Sequence, residues 1–217
     1  MPTIAVIGAG PGMGLAIART FGSRGFDVAL IARTKDKLQA LVDQLGQEGI
    51  TAEAFPADVL DRPSLTAALD AVKARFGGVD VLEYSPAPHS PVPGHTLAVP
   101  SEATPDNLQP QIEYNLYGAI TAAQAVLPAM REAGAGSLLF TTGGGSVDPV
   151  PMLGNVNAAA AALRNWVINL KQGTDRQRCA RRARDDQGLD RRRRPGGLRD
   201  GHGRRDRPAV LGPPRKA

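Results

Sequence analysis

Apolar and polar residues follow two different patterns along the first four-fifths of the chain. Five short runs are rich in branched and aromatic residues and end near glycine, proline or polar residues, which is typical of buried strands. Between them, apolar residues recur every three or four positions, which predicts helices. The predicted strands are TIAVIGAG, DVALIAR, TAEAFPAD, VDVLEYS and SLLFTTGGG. The predicted helices are MGLAIARTFGSRG, TKDKLQALVDQLGQEG, RPSLTAALDAVKARFGG, DNLQPQIEYNLYGAITAAQAVLPAMREAG and residues 154–171.

The regular succession of strand and helix predicts the fold class. Helices of this length allow right-handed crossovers between parallel strands, and each crossover lays its helix against one face of the sheet. We therefore expect an α/β fold, a doubly wound parallel sheet with helices on both faces, over residues 1–172. The fourth predicted helix is long, and Pro110 is expected near its first turn.

A glycine-rich turn, GAGPGMG, joins the first predicted strand to the first predicted helix. Glycines let the backbone turn tightly and approach a pyrophosphate closely, while the start of the helix offers amide donors and a favourable dipole. A plain strand-to-helix turn is the alternative. The residues predicted to bind a dinucleotide are Gly8, Gly10, Pro11, Gly12, Met13 and Gly14.

The spacing Gly-x-x-x-Gly-x-Gly at Gly8, Gly12 and Gly14 resembles the glycine motif of the short-chain dehydrogenase/reductase family, and the resemblance extends from residue 3 to about residue 171. It implies a Rossmann-like fold and an NAD(P)(H)-dependent oxidoreductase that acts on a small carbonyl or alcohol substrate. It also implies a homo-oligomer where the C-terminal part is intact.

Three further positions carry the same resemblance. The ADV sequence after the third predicted strand puts Asp58 and Val59 where the family holds the adenine ring. The NLYG sequence puts Asn115 where the family has an asparagine that bulges the helix and holds a water of the proton relay. Asn115 is therefore a candidate for the chemistry of the site.

The residues after the second predicted strand indicate which dinucleotide is bound. An NAD-preferring protein typically has an acid there, which binds the ribose 2′-hydroxyl. Here Arg33 follows the strand, and it is suited to stack on adenine and pair with a 2′-phosphate, with Thr34 and Lys35 as further donors. The sequence thus predicts NADP(H) in preference to NAD(H). The alternative is that Arg33 is a solvated residue before a helix.

The family's proton donor has no counterpart in this chain. Reduction of a ketone leaves an alkoxide that needs a proton, and the family supplies it from a tyrosine, with a lysine four residues later and a serine about 13 residues earlier. Depending on whether Thr142 or Gly143 takes the serine's place, the tyrosine falls on Asn155 or Val156 and the lysine on Ala159 or Ala160. Thr142 remains a candidate catalytic residue. A cofactor-binding sensor or scaffold without turnover is the alternative function.

The fourth predicted strand also departs from the family. The sequence EYSPA replaces the family's Asn-Asn-Ala-Gly turn, and it leaves Ser85 as a candidate cofactor-binding residue. Tyr84 and His89 are the side chains near this edge that could act as acids near neutral pH. A structural role is the favoured interpretation for both.

Residues 173–217 differ sharply from the rest of the chain. They carry 15 basic residues, 14 of them arginine, and 6 acidic residues, whereas residues 1–172 carry 11 basic and 15 acidic residues. They contain no Ile, Phe, Met, Trp or Tyr, so we expect a disordered basic tail. The family's later strands and helices have no counterpart there, and the composition indicates a frameshift near Gln172. An arginine-rich arm for nucleic acid is the alternative, but it would lack aromatic residues to stack on bases.

Other global features restrict the compartment and the class of protein. The single Cys179 cannot form an internal disulfide, and no basic and apolar leader follows Met1. No run approaches the roughly 18 apolar residues of a membrane span. We expect a cytoplasmic protein of one structured domain, with no metal site and no membrane partner.

Overall fold

A five-stranded parallel sheet forms the centre of the molecule. The structure is a computed structural model that describes residues 1–87 and 95–191, with side chains described as far as Gly173. Its strand order is β3-β2-β1-β4-β5, so the chain reverses direction across the sheet between β1 and β4. The strands are β1 Thr3–Ile7, β2 Asp27–Ala32, β3 Ala52–Pro56, β4 Val81–Tyr84 and β5 Ser137–Phe140.

Helices connect these strands and cover both faces of the sheet. They are α1 Met13–Gly22, α2 Lys35–Gln47, α3 Arg62–Phe76, α4 Pro105–Ile112, α5 Gly118–Ala133 and α6 Gly154–Arg191. Local signals set several ends. The Asp61 carboxylate accepts a bond of 3.1 Å from the Ser64 amide at the start of α3. Gly77, at φ 88°, ends the same helix.

Two apolar layers hold the helices against the sheet. On one face, β1 and β4 residues such as Ile7 and Leu82 pack with residues of α3, α5 and α6. On the other face, Val6 and Leu30 pack with residues of α1 and α2. Alternate residues of one strand therefore face different helices, as expected for a sheet that is buried on both sides. The predicted fold class, a doubly wound parallel α/β sheet, is confirmed.

The long fourth helix is present, and a π-helical turn lies inside it. It is divided into α4, a π-helical turn at Glu113–Tyr117, and α5. Pro105, rather than Pro110, lies in the first turn of α4, where the missing proline N–H costs nothing. Pro110 lies inside α4, where it removes one helical hydrogen bond. A π-helical turn accommodates an extra residue and is frequent at functional sites.

The last helix is longer than the sequence predicted. It was expected to end at residue 171, but α6 continues to Arg191. Residues 172–191 contain six Arg and three Gln, which favour helix, and the next proline is Pro195. The chain divides into two units, Met1–Gln172 and Gly173–Ala217. Most of the predicted disordered tail, residues 192–217, lies outside the described residues.

Candidate functional site

The glycine-rich turn lies between the ends of three strands. The amide of Gly8 donates to the Ile31 carbonyl over 2.9 Å, and the Ser85 amide donates to the Ile7 carbonyl over 2.9 Å. Gly8 has φ +94°, and a Cβ placed on it would lie 2.5 Å from the Cα of Pro86. Only glycine satisfies both the dihedral angle and the close approach. This loop is thus fixed at the point where the strand order reverses, which is where ligands bind in open α/β sheets.

The outer part of the turn is open. A Cβ on Gly12 would meet nothing within 4 Å, and Pro11, Gly12 and Met13 are exposed. Gly12 caps α1 without a side chain, and the first turn of α1 contains no acidic residue. The positive end of this helix therefore faces free space, as a pyrophosphate requires. The loop and helix fit a dinucleotide on geometric grounds.

Gly14 and Gly10 have different surroundings within the same turn. A Cβ on Gly14 would lie 3.0 Å from the Cα of Ala9, so glycine keeps α1 close to the turn. A Cβ on Gly10 would have one neighbour within 4 Å, the Gly8 carbonyl oxygen at 3.9 Å. Gly14 thus allows α1 to pack closely on the turn. Gly10 has no such packing role, and the absence of a side chain there leaves room above the loop.

Residues from β2, β3 and the π-helical turn converge beside the loop. Arg33 is exposed, and Thr34 caps α2 without a hydrogen bond from its side chain. The Asp58 carboxylate accepts a bond of 3.0 Å from the Leu60 amide, and Val59 is buried. Burial raises the pKa of Tyr114 to about 12, the Arg33 guanidinium opposes the rise, and the Asp58 carboxylate adds to it. Arg33 and Asp58 therefore both lie within electrostatic range of Tyr114, a residue that the sequence had not singled out.

Asn115 lies in the π-helical turn, where the helix bulges. Its Nδ2 donates to the Gln111 carbonyl over 2.9 Å. The family resemblance implied a bulge at this asparagine, and one is present. The role of Asn115 in a proton relay remains a prediction.

Tyr84 is part of the core. Its hydroxyl is buried and donates to the Tyr114 carbonyl over 2.6 Å, and a Cβ on Gly118 would collide with that hydroxyl. Burial raises the pKa of Tyr84 well above its usual value. Tyr84 therefore cannot release a proton near neutral pH, in agreement with the structural role favoured for it. His89, the other acid considered, lies outside the described residues.

Replacing Tyr84 with phenylalanine is expected to lower the free energy of unfolding by about 1–3 kcal/mol, because the Tyr114 carbonyl loses a buried hydrogen bond from the hydroxyl. NADPH affinity should remain within a factor of about two, since the lost hydrogen bond lies in the core and involves no residue of the glycine loop. Urea unfolding and fluorescence titration of the variant would measure both. A selective loss of cofactor binding with normal stability would contradict this structural role.

The position of the family's tyrosine is occupied by a structural asparagine in one alignment. Asn155 is fully buried; its Oδ1 accepts from the Ala98 amide over 3.1 Å, and its Nδ2 donates to the Thr96 carbonyl over 2.7 Å and the Asn107 carbonyl over 2.9 Å. Asn155 therefore ties the loop after residue 94 and helix α4 to the start of α6. In both alignments the lysine position is a buried alanine, Ala159 or Ala160.

A buried carboxyl group at the end of β4 was missed by the sequence analysis. Glu83 is 1% exposed, and neither carboxyl oxygen has a hydrogen-bond partner among the described residues. Burial raises its pKa to about 7, and the nearby hydroxyls of Ser85 and Thr141 offset the rise only in part, without making a bond of good geometry. The signal was present, because Glu83 interrupts the apolar strand VLEY.

Two predicted site residues carry similar unpartnered groups. The Oγ of Ser85 and the Oγ1 of Thr142 are buried and have no partner among the described residues. Both follow the carboxyl ends of neighbouring strands, β4 and β5. The structure thus brings the ends of all five strands to one edge, with the glycine loop at its centre.

An open groove lies beside this edge rather than at the glycine loop. Its volume is about 480 Å³, and Leu60, Asp61, Arg62, Pro63 and Glu113 line it. The Arg62 guanidinium is paired with the Glu113 carboxylate at 2.6 Å. Because the charge of Arg62 is neutralised, the groove attracts an anion less strongly than the glycine loop does.

Comparison with known proteins identifies the family. A family model described as short chain dehydrogenase matches residues 2–179. The chain belongs to the short-chain dehydrogenase family. Among the described residues, no helix combines the length and apolar character that crossing a bilayer demands.

Individual relatives are similar to this chain over part of their length. The D-threitol dehydrogenase of Mycolicibacterium smegmatis is 33% identical over 135 residues, which cover 62% of this chain and 49% of the relative. The fatty acyl-CoA reductase of Mycobacterium tuberculosis is 30% identical over 161 residues, 74% of this chain and 53% of the relative. This chain spans about half the length of the curated relatives it matches.

A solved structure shows the same architecture. An alcohol dehydrogenase from the archaeon Thermococcus sibiricus, in complex with 5-hydroxy-NADP, superposes with a TM-score of 0.68 at 28% identity. The alignment covers 80% of this chain and 71% of that protein.

Proposed function

We propose that this chain is an NADP(H)-dependent oxidoreductase of its family, acting on a small carbonyl or alcohol substrate, and that its glycine loop holds the dinucleotide. The open start of α1 beside Gly12 carries the proposal, because no side chain of the described residues fills that space. The complex of the Thermococcus sibiricus relative with 5-hydroxy-NADP supports NADP(H) as the ligand class.

Three parts of the cofactor have candidate binding residues in this chain. The glycine loop and the first turn of α1 would receive the pyrophosphate. Arg33 and Thr34 would bind the 2′-phosphate, since both are exposed at the end of β2. Asp58 and Val59 would border the adenine. NADPH, when bound, supplies a hydride to a carbonyl carbon, and the chain must then supply a proton to the oxygen.

Replacing Arg33 with aspartate is expected to reduce the preference for NADPH over NADH by about 10–100-fold, because a charge-assisted bond to the 2′-phosphate is lost and a repulsive charge replaces it. Fluorescence titration of both dinucleotides against both proteins measures the preference. The exposed Arg164 of α6 provides a matched control as Arg164→Asp. An unchanged preference in Arg33→Asp, or an equal change in the control, would refute the role.

A second candidate is a cofactor-binding sensor or scaffold without turnover. The observation that favours it is the replacement of the family's proton donor by a buried hydrogen-bonded Asn155, or by Val156, with Ala159 or Ala160 at the lysine position. NADPH oxidation with a panel of aldehydes and ketones separates the two functions. Tight NADPH binding without oxidation of any carbonyl would support the sensor.

A further inference from the structure

Unpartnered polar groups cluster at the end of β4 and β5. The two carboxyl oxygens of Glu83, the Oγ of Ser85 and the Oγ1 of Thr142 are buried without hydrogen-bond partners among residues 1–87 and 95–173. Buried polar groups are almost always paired, so several exceptions at one sheet edge require an explanation. This edge is also where the strand order reverses and where a ligand is expected.

Glu83 and Ser85 are placed in line with the glycine loop. Ser85 is the first residue after β4 and lies two residues beyond Glu83. A Cβ on Gly8 would lie 2.8 Å from the carbonyl carbon of Ser85, so the residue that carries the hydroxyl touches the loop directly. Ser85 therefore adjoins both the glycine loop and the buried carboxyl group, whose ionisation its hydroxyl affects.

Nothing charged neutralises Glu83 within the described part of the chain. Its neighbours in the sheet register are Val6 on β1 and Leu139 on β5. The residues of α1 that pack on this face, Leu15 and Ala18, are apolar. The polar groups that affect its ionisation are the hydroxyls of Ser85 and Thr141. The Glu83 carboxyl group, with a pKa of about 7, thus holds and releases its proton in the range where a general acid is most effective.

The other candidate donors near this edge are less suitable. The Tyr84 hydroxyl is committed to the Tyr114 carbonyl. His95 has a buried, unpartnered Nε2 and its ring lies 5.1 Å from the Tyr114 ring, but burial lowers its pKa, so it is mainly neutral at pH 7. Neither residue combines a free proton with the right ionisation range.

We propose that Glu83 is the proton source of this site and delivers its proton through the Ser85 hydroxyl to the oxygen of a carbonyl substrate. This inference rests on the NADP(H)-dependent function proposed above. It gives the chain a donor in place of the absent tyrosine.

The proposed step balances in atoms and electrons. As the carbonyl carbon gains the hydride, the C–O π bond breaks and its electron pair moves to the oxygen. The oxygen takes the proton of the Ser85 hydroxyl, and the Ser85 oxygen takes the proton of the Glu83 carboxyl group, which becomes a carboxylate. The carbonyl is reduced to an alcohol, NADPH is oxidised to NADP⁺, and Glu83 recovers a proton from water.

The test compares the wild type with Glu83→Gln and Ser85→Ala, and uses Glu53→Gln as the control. Glu53 is also a strand glutamate, but it is partly exposed and paired with Arg75 at 2.6 Å. NADPH affinity and NADPH oxidation with a panel of aldehydes and ketones are measured from pH 5 to 9 for each protein. Since the donor must be protonated, the wild-type rate should fall as the pH rises through about 7.

Glu83→Gln should lose about 10²–10⁴-fold of the rate at pH 6 and should lose this inflection, while NADPH affinity is retained. Ser85→Ala should show a similar loss of rate. Glu53→Gln should keep both the rate and the profile. Infrared spectroscopy of the cofactor-free protein provides a readout independent of turnover: a protonated-carboxyl band should disappear around pH 7 in the wild type and in Glu53→Gln, and should be missing in Glu83→Gln.

Distinct results overturn the two proposals. If NADPH does not bind the wild type, the proposed function fails and this inference fails with it. If NADPH binds but no carbonyl is reduced at any pH, the oxidoreductase function and this inference both fail and the sensor is supported. If carbonyls are reduced but Glu83→Gln keeps the wild-type rate and pH profile, this inference alone is overturned. If Glu83→Gln does not fold, the Ser85→Ala rate and the wild-type infrared titration decide the question.

Discussion

Replacing Gly12 with valine is expected to weaken NADPH binding by about 100-fold or more and to leave the fold intact. The space around the Gly12 Cα is empty in this structure, so a side chain would meet no protein atom. The same side chain would occupy the volume that a pyrophosphate needs at the open start of α1. The loss should therefore appear in binding rather than in stability.

Fluorescence titration with NADPH and circular dichroism of the same samples test this expectation. Gly46 provides a matched control, because a Cβ there also meets nothing within 4 Å and the residue lies in α2, away from the loop. Gly46→Val should bind NADPH as the wild type does. If Gly12→Val still binds NADPH normally, the glycines serve only the chain turn.

Replacing Asn155 with alanine should lower the free energy of unfolding by about 3 kcal/mol or more. The change would remove three hydrogen bonds of a fully buried side chain, with the Ala98 amide and with the carbonyls of Thr96 and Asn107, and each group left unsatisfied costs about 1–3 kcal/mol. The loss is expected to be smaller than the sum, since nearby water can replace some of these bonds.

Urea unfolding monitored by circular dichroism measures this cost. Asn169, which lies exposed on the same helix and bonds only within it, serves as the control in Asn169→Ala. A change below about 1 kcal/mol in Asn155→Ala would mean that the three bonds do not hold the loop to α6. The control should change stability by about 0.5 kcal/mol at most.

The sheet and the glycine loop could be predicted because their signals are local. Buried parallel strands appear as continuous apolar runs, and the turn after β1 requires glycine for its backbone geometry at Gly8. The positions of Arg33 and Asp58 at one edge then follow from topology, because parallel strands place their carboxyl ends together. These parts of the site depend on the parallel arrangement of the strands more than on any single side-chain contact.

Other features depend on contacts between distant residues, which a pattern does not reveal. Tyr84 is excluded as an acid by a bond to the carbonyl of Tyr114, 30 residues away in sequence. The π-helical turn between α4 and α5 was implied by the family resemblance at Asn115 and not by the pattern of apolar residues. Glu83 was overlooked because a single acid in an apolar strand was treated as part of the strand, although burial without a partner makes it the most unusual group of the site.

Within the described residues, β5 is hydrogen-bonded to a neighbouring strand on one side only, and Leu139 on this strand is 42% exposed. A free strand edge is a template for another strand, whether from a further part of a longer polypeptide or from a second molecule. The self-association of this protein should therefore rise with its concentration, and a charged residue at position 139 should suppress it. The range of residues that is expressed therefore affects the oligomeric state, because it decides whether the free edge of β5 pairs within the same polypeptide or with another molecule.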